Sequence, residues 1–221
     1  HKREETFVVR TVLKEAASTA LYGFHACIHP FEGFYNIKHF RKRNGLAALL
    51  VLFAVVIAVV LKLQCTGFLF QIGNPEDNNI FLEILLVVAP ICIWSVVNWS
   101  MTTLFEGKAT MKNIFITTVF ALLPLVIIYL PQVLLSHFFT LDESAFISIL
   151  DAIALIWSIW LLLAGLASVQ DYTMFKTILT SVFTILAIVA LLFLASVFYS
   201  SLQQLVSFFT TIFSELTYWI Q

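Results

Sequence analysis

Three sets of residues in this chain have types and spacings that could do chemistry. His25, Cys27 and His29 form an H-x-C-x-H string, and on a helix the two imidazoles would stand at i and i+4 on one face, as metal ligands can. Pro30 closes the helical pattern at about His29 and no second ligand cluster follows, so interfacial histidines are the better account and no metal is expected. His137, Asp142 and Ser144 combine the types of a hydrolytic triad, but they surround a short loop with no nucleophile elbow and no glycine-rich oxyanion pattern. The third set is Lys62, Glu83 and Asp151, each placed inside an apolar run. Charge in such a setting is costly and is usually paired or functional.

Cys27, Cys65 and Cys92 lie far apart without redox or zinc spacing and are read as small apolar residues. There is no phosphate loop, dinucleotide fingerprint or nucleic-acid motif, so no cofactor and no nucleic-acid partner are expected. The basic start of the chain leads into an amphipathic stretch, not the short apolar core and small-residue cleavage site of a signal peptide.

The elements that must position these residues are membrane helices. Of 221 residues, 61% are apolar and only 11% charged, and the mean hydropathy is +0.97. Soluble globular chains are about half apolar and a quarter charged, so lipid is the expected solvent. Crossing about 30 Å of hydrocarbon takes about 20 helical residues. Five runs qualify: Gly45 to Phe70, Ile80 to Leu104, Asn113 to His137, Ala145 to Ala167 and Thr177 to Tyr199. Pro90, Pro124 and Pro131 fall within them, where membrane helices tolerate a kink. Lys62 then lies about two turns before the outer end of the first span, Glu83 about one turn inside the second and Asp151 about two turns inside the fourth. Lys62 is expected to pair with Asp151 or Glu83, or else to snorkel.

Loop charge sets the expected orientation. Lys and Arg cluster before the first span, around Lys108 and Lys112, and at Lys176, whereas the alternate loops carry Glu76, Asp77, Asp142 and Glu143 and no basic residue. Basic loops stay in the cytoplasm, which places the N-terminus inside and the C-terminus outside. The ends of the chain are amphipathic. Phe7, Val8, Val12, Leu13, Ala16, Ala20, Leu21 and Phe24 have helical spacing, with Arg10 and Lys14 among the polar positions. Beyond Tyr199, Leu202, Leu205, Val206, Phe209, Ile212, Phe213, Leu216 and Ile220 share a face opposite Gln203, Gln204, Ser207 and Thr211. The last stretch is expected to lie along the outer interface, with a continuous helix projecting to a partner as the competing arrangement. The expected fold is therefore all-α: a polytopic bundle with a basic amphipathic segment 1–44, a five-helix domain 45–199 and an outer amphipathic helix 200–221.

Several motifs carry a family resemblance: His29-Pro30-Phe31-Glu32-Gly33-Phe34-Tyr35-Asn36-Ile37-Lys38 before the first span, Val97-Asn98-Trp99 and Thr103-Leu104-Phe105-Glu106-Gly107-Lys108-Ala109-Thr110 after the second, and Ala121-Leu122-Leu123-Pro124 in the third. With these the chain resembles the Yip family of five-span membrane proteins, named for interaction with Rab-type GTPases, and its bacterial branch in particular. The resemblance implies a five-span bundle in a bacterial plasma membrane and no catalytic residues. It also implies accessory proteins of membrane transport assemblies, often associated with ATP-driven (ABC) sugar importers. The Asp-Leu-x-Gly-Pro-Leu-like motif of the eukaryotic branch is not visible, so a membrane-trafficking role stands as an alternative.

The functional expectation is a non-catalytic accessory or scaffold subunit whose partners are the lipid bilayer and other integral membrane proteins, such as permeases of an ABC carbohydrate importer. Its cytoplasmic interaction surface would draw on Phe31, Phe34, Tyr35, Lys38, Asn98, Trp99, Glu106 and Lys108. The alternative of another class is a transporter or channel using Lys62, Glu83 and Asp151. An intramembrane enzyme ranks below both.

Overall fold

The computed structural model describes residues 17–40, 44–65, 79–139 and 143–220, with the backbone alone for 38–40, 44 and 213–220. Asp142 and the amphipathic positions before residue 17 lie outside these residues. The described chain is helical: α1 (17–28), α2 (Pro30–Phe40), α3 (Asn44–Cys65), α4 (Ile80–Leu104), α5 (Met111–Ala121), α6 (Leu123–Ser136), α7 (Ser144–Gln170) and α8 (Met174–Ile220). Among the described residues five stretches are long and apolar enough to cross a membrane, with α5 and α6 together making the third. That matches the expected all-α, five-span architecture. The first expected span reached Phe70, but α3 is described only to Cys65 and residues 66–70 lie outside the description.

The third span is the centre of the bundle. In it 67% of the most apolar window is buried, against 17% to 33% for the other four. Helices α3, α4 and α7 pack around it, and α8 closes against α4 and α7. It is not one uniform helix. Pro124 has no N–H to give and its ring crowds the carbonyl of Phe120, so α5 stops at Ala121 and α6 begins at Leu123. The amide of Leu122 turns back to Val119 and its carbonyl accepts from Leu125 at 3.0 Å. Leu122 thus crosses the break with both its backbone groups partnered, as lipid requires.

The described residues before the first span pack onto the bundle. Helices α1 and α2 form a hairpin about His29, and Ala26, Cys27, Phe34 and Ile37 belong to the same buried core as Phe120, Leu123, Val126 and Leu161. Gly23 of α1 abuts Phe120 and Leu123 at the α5–α6 break. Trp157, midway along α7, donates its indole N–H to the Cys27 carbonyl at 3.3 Å, satisfying one of the acceptors left free at the end of α1. Gly165 lets α2, α5 and α7 converge: a Cβ there would stand 2.6 Å from a methyl of Thr117 and 3.0 Å from the ring of Phe34.

At the end of the chain the structure gives the continuous helix. In place of a span ending near Tyr199 and a separate outer helix, α8 runs unbroken for 47 residues. No Gly or Pro interrupts Met174 to Ile220, which removes the usual causes of a turn into the membrane plane.

Candidate functional site

At the end of the bundle that carries Lys108, Lys112 and Lys176, α4 and α7 stop side by side with the same device. Glu106 and Asp171 both take left-handed backbone conformations, with φ of 57° and 59°. The residue after each returns its amide to the last turn, Gly107 to the Thr102 carbonyl at 2.9 Å and Tyr172 to the Ala167 carbonyl at 3.0 Å. Left-handed caps of this kind satisfy carbonyls that a helix end leaves open. Gly107 is required by contact, since a Cβ would collide with the Thr102 methyl and the Tyr172 hydroxyl.

Above these caps a chain of buried amides and hydroxyls ties three helices together. Gln170 of α7 donates from Nε2 to Asn98 Oδ1 at 2.8 Å and to Thr102 Oγ1 at 3.2 Å. Asn98 in turn donates to Thr184 of α8 at 3.2 Å, and Thr184 passes its own proton to the Thr180 carbonyl at 2.8 Å. All of these side chains are buried. The Tyr172 hydroxyl adds a bond to the Phe105 carbonyl at 3.0 Å, and Lys176 lies over its ring at 4.3 Å. Burial, and then the negative charge of Glu106, raise the Tyr172 phenol above its ordinary value, which keeps it a donor. Lys108 approaches Asp171 at 3.8 Å in an exposed pair, a geometry worth little in water.

A second polar group lies toward the opposite end. Lys62 of α3 pairs with Asp151 of α7, and α6 lies between those helices and packs on both. The ammonium sits 3.8 Å from the centroid of the Tyr129 ring on α6. Gln132, one turn on, donates to Asp151 Oδ1 at 2.9 Å and to the Ile147 carbonyl at 3.3 Å. Of the two partners expected for Lys62, the structure gives Asp151. Glu83 is buried and accepts from Gln64 of α3 at 3.2 Å, so it serves a link between the first and second spans.

The expected interaction surface divides. Phe31, Tyr35 and Trp99 are exposed apolar side chains, and Glu106 and Lys108 are exposed as well. Phe34 is only 1% exposed and fills core space beside Gly165, and Asn98, also 1% exposed, holds helices together. Both leave the surface set, because a motif written in sequence mixes outward and inward positions of one helix. The Lys38 side chain lies outside the described residues.

Asp142 of the His137, Asp142 and Ser144 set lies outside the described residues. The rings of His25 and His29 lie with centroids 5.1 Å apart and are tilted by 40°, no group of three His, Cys, Asp or Glu side chains that could hold a metal ion forms among the described residues, and His137 turns its Nδ1 back to the Val133 carbonyl at 2.8 Å. Burial pushes the Cys27 thiol up to about 11. Near the far end, Phe139, Glu143, Ala145, Phe146 and Ile149 line an apolar hollow of about 430 Å³.

Gln132, Gln170, Tyr172 and Thr184 were missed by sequence reasoning. The available signal was a long amide side chain just inside a span, where lipid offers no partner and a neighbouring helix must.

No curated protein and no solved structure matches the chain at a significant level. Residues 24–213 match the model of the Yip1 domain. That match takes in the α1–α2 hairpin from Phe24, every spanning helix and α8 as far as Phe213, so the chain belongs to the Yip family of integral membrane proteins.

Proposed function

We propose that this protein is a non-catalytic membrane scaffold or accessory subunit, binding other integral membrane proteins at its lysine-bearing end, with that end facing the cytoplasm and the C-terminus outside. One observation carries the proposal: two sets of polar side chains inside the bundle bond across helices, from Gln170 through Asn98 to Thr184 and from Lys62 through Asp151 to Gln132. Groups arranged in this way fasten helices. A transporter acting alone would need Lys62, Glu83 and Asp151 to face a solute path, and their pairing supports the fastening role instead. Exposed Phe31, Tyr35 and Trp99 near the lysine-bearing end supply aromatic anchors of the kind that dominate interfaces. The permeases of an ABC carbohydrate importer are the partner class with the most support from the resemblance, and a Rab-type trafficking partner is the alternative.

A photo-crosslinking residue at Tyr35 or Trp99, used in native membranes, should give a discrete adduct with another integral membrane protein, while the same residue at exposed Leu85 gives lipid adducts only. Solute uptake by the purified chain alone in liposomes, without adducts at Tyr35 or Trp99, would overturn the reading.

A further inference from the structure

The spans give a ruler for depth. A helix rises about 1.5 Å per residue, so hydrocarbon about 30 Å thick leaves about 5 Å of a 27-residue span such as α7 outside it at each end. Helix α2 meets the bundle near the lysine-bearing end. Ser168, two residues from the end of α7, donates to the Phe31 carbonyl at 3.3 Å, and the Phe34 ring lies beside Gly165, about 8 Å in from that end. Helix α1 lies deeper. Trp157, which holds the Cys27 carbonyl, is 13 residues from Gln170, or about 20 Å. Leu123, which abuts Gly23, is 12 residues from Met111, or about 18 Å. Gly23 and Cys27 thus sit at nearly one depth on two different spans, so α1 runs across the bundle at the level of the hydrocarbon.

The faces of α1 agree with that depth. At about 100° per residue its side chains fall into three sectors. Thr19, Gly23, Ala26 and Cys27 are buried against the bundle. Ser18, Tyr22, His25 and His29 form a polar sector on the side of α2: the Tyr22 hydroxyl accepts from Asn36 at 2.9 Å, Tyr22 stacks on His25 with centroids 5.0 Å apart, and the His29 amide keeps the helical register by bonding the His25 carbonyl at 3.0 Å. Leu21, Phe24 and Ile28 form the third sector and are exposed. Because α2 lies nearer the lysine-bearing end, the polar sector faces the headgroups and the apolar one faces away from both the bundle and the headgroups.

The backbone at the turn gives a separate indication. Pro30 has no N–H, so a carbonyl of the last turn of α1 is left without a helical partner. Water would supply a donor there, but hydrocarbon cannot. The bundle supplies one, the indole of Trp157, to Cys27.

We propose that α1 is a membrane-embedded helix, lying across the third and fourth spans within the leaflet at the lysine-bearing end, with Leu21, Phe24 and Ile28 packed against lipid acyl chains. This placement is independent of which membrane protein that end binds.

The test uses the full-length protein in lipid nanodiscs, with Cys27, Cys65 and Cys92 replaced by Ala and single bimane-labelled cysteines at Leu21, Phe24, Ile28 and, for reference, Lys108. Loss of fluorescence is measured with a nitroxide on the lipid acyl chain, with one on the headgroup, and with aqueous iodide. The expected result is stronger loss from the acyl-chain nitroxide than from the headgroup one at the three α1 positions, with no loss from iodide, and the iodide response at Lys108. Iodide quenching of the α1 positions equal to that of Lys108 would put the helix in water. Stronger loss from the headgroup nitroxide would put it at the interface, and no loss from any quencher would mean that protein covers it; each of these overturns the proposal. The unaltered protein gives a second reading that no substitution can disturb: a phospholipid with a photoreactive group on its acyl chain should crosslink to the peptide from Leu21 to Ile28. Crosslinks confined to the spans would overturn the placement.

Discussion

Gln170 closes α7 with one amide nitrogen held by two residues of α4, 2.8 Å from Asn98 Oδ1 and 3.2 Å from Thr102 Oγ1. Asn98 in turn reaches α8, so a single side chain sets the spacing of three spans at one end of the bundle.

Gln170→Ala is expected to lower stability in detergent by about 1–3 kcal/mol, because it leaves Asn98 and Thr102 buried with an acceptor open. Asn98→Ala should cost a similar amount, and the double variant should cost less than the sum, since both substitutions break one network. Thermal unfolding of the four proteins in one detergent measures the coupling. Strict additivity would show that the two amides do not act together.

Lys62 and Asp151 give the same test at the other end. Lys62→Met or Asp151→Leu leaves a lone, partly buried charge and is expected to destabilise by about 1–3 kcal/mol, whereas the double variant should return toward the parent, since replacing a buried pair with apolar residues is often nearly neutral. The side chains are 20% and 33% exposed, which favours the lower end of that range. Glu83→Gln should not reproduce the pattern, because its partner is Gln64. Singles as stable as the parent would mean that Lys62 snorkels freely.

Cys27 should resist alkylation. The thiolate is the reacting species, and with a pKa of about 11 against an ordinary 9.0 its population at pH 8 is lower by about a hundredfold. Buried position slows it further. Because the raised value favours the protonated thiol in the folded state, labelling should rise only as the pH climbs toward 11 or the protein unfolds. Fast labelling of Cys27 in the folded protein at pH 8, followed by peptide mapping, would contradict the docked α1–α2 hairpin.

Much of this architecture was legible because lipid imposes simple demands. A run of about 20 apolar residues has little alternative to a spanning helix, so Ile80 to Leu104 was bounded to the residue, and α7 exceeds the expected Ala145–Ala167 by one residue before and three after. Lys62 with Asp151 was legible for the same reason, since a charge inside a span seeks another. What was not legible depends on tertiary packing. Nothing in the spacing of Phe31, Phe34 and Tyr35 says that Phe34 alone turns inward beside Gly165, and nothing near Cys27 announces Trp157, 130 residues later. The span-breaking effect of Pro124 was visible only as a tolerated kink, because the partners of the Leu122 backbone could not be read from composition.

The hairpin of α1 and α2 also constrains the order in which the molecule can be assembled. Its residues leave the ribosome before the spans do, yet their resting place is made by Phe120, Leu123, Trp157 and Gly165, which are synthesised some hundred residues afterwards. Contacts so distant in sequence form late, and domains otherwise tend to fold from the N-terminus during synthesis. These two helices, made before the spans, are therefore among the last to be seated, and until the fourth span is in place the chain must hold a hydrophobic segment without its cover. A substitution such as Gly165→Val would then act twice, once on the finished bundle and once on how long that segment waits.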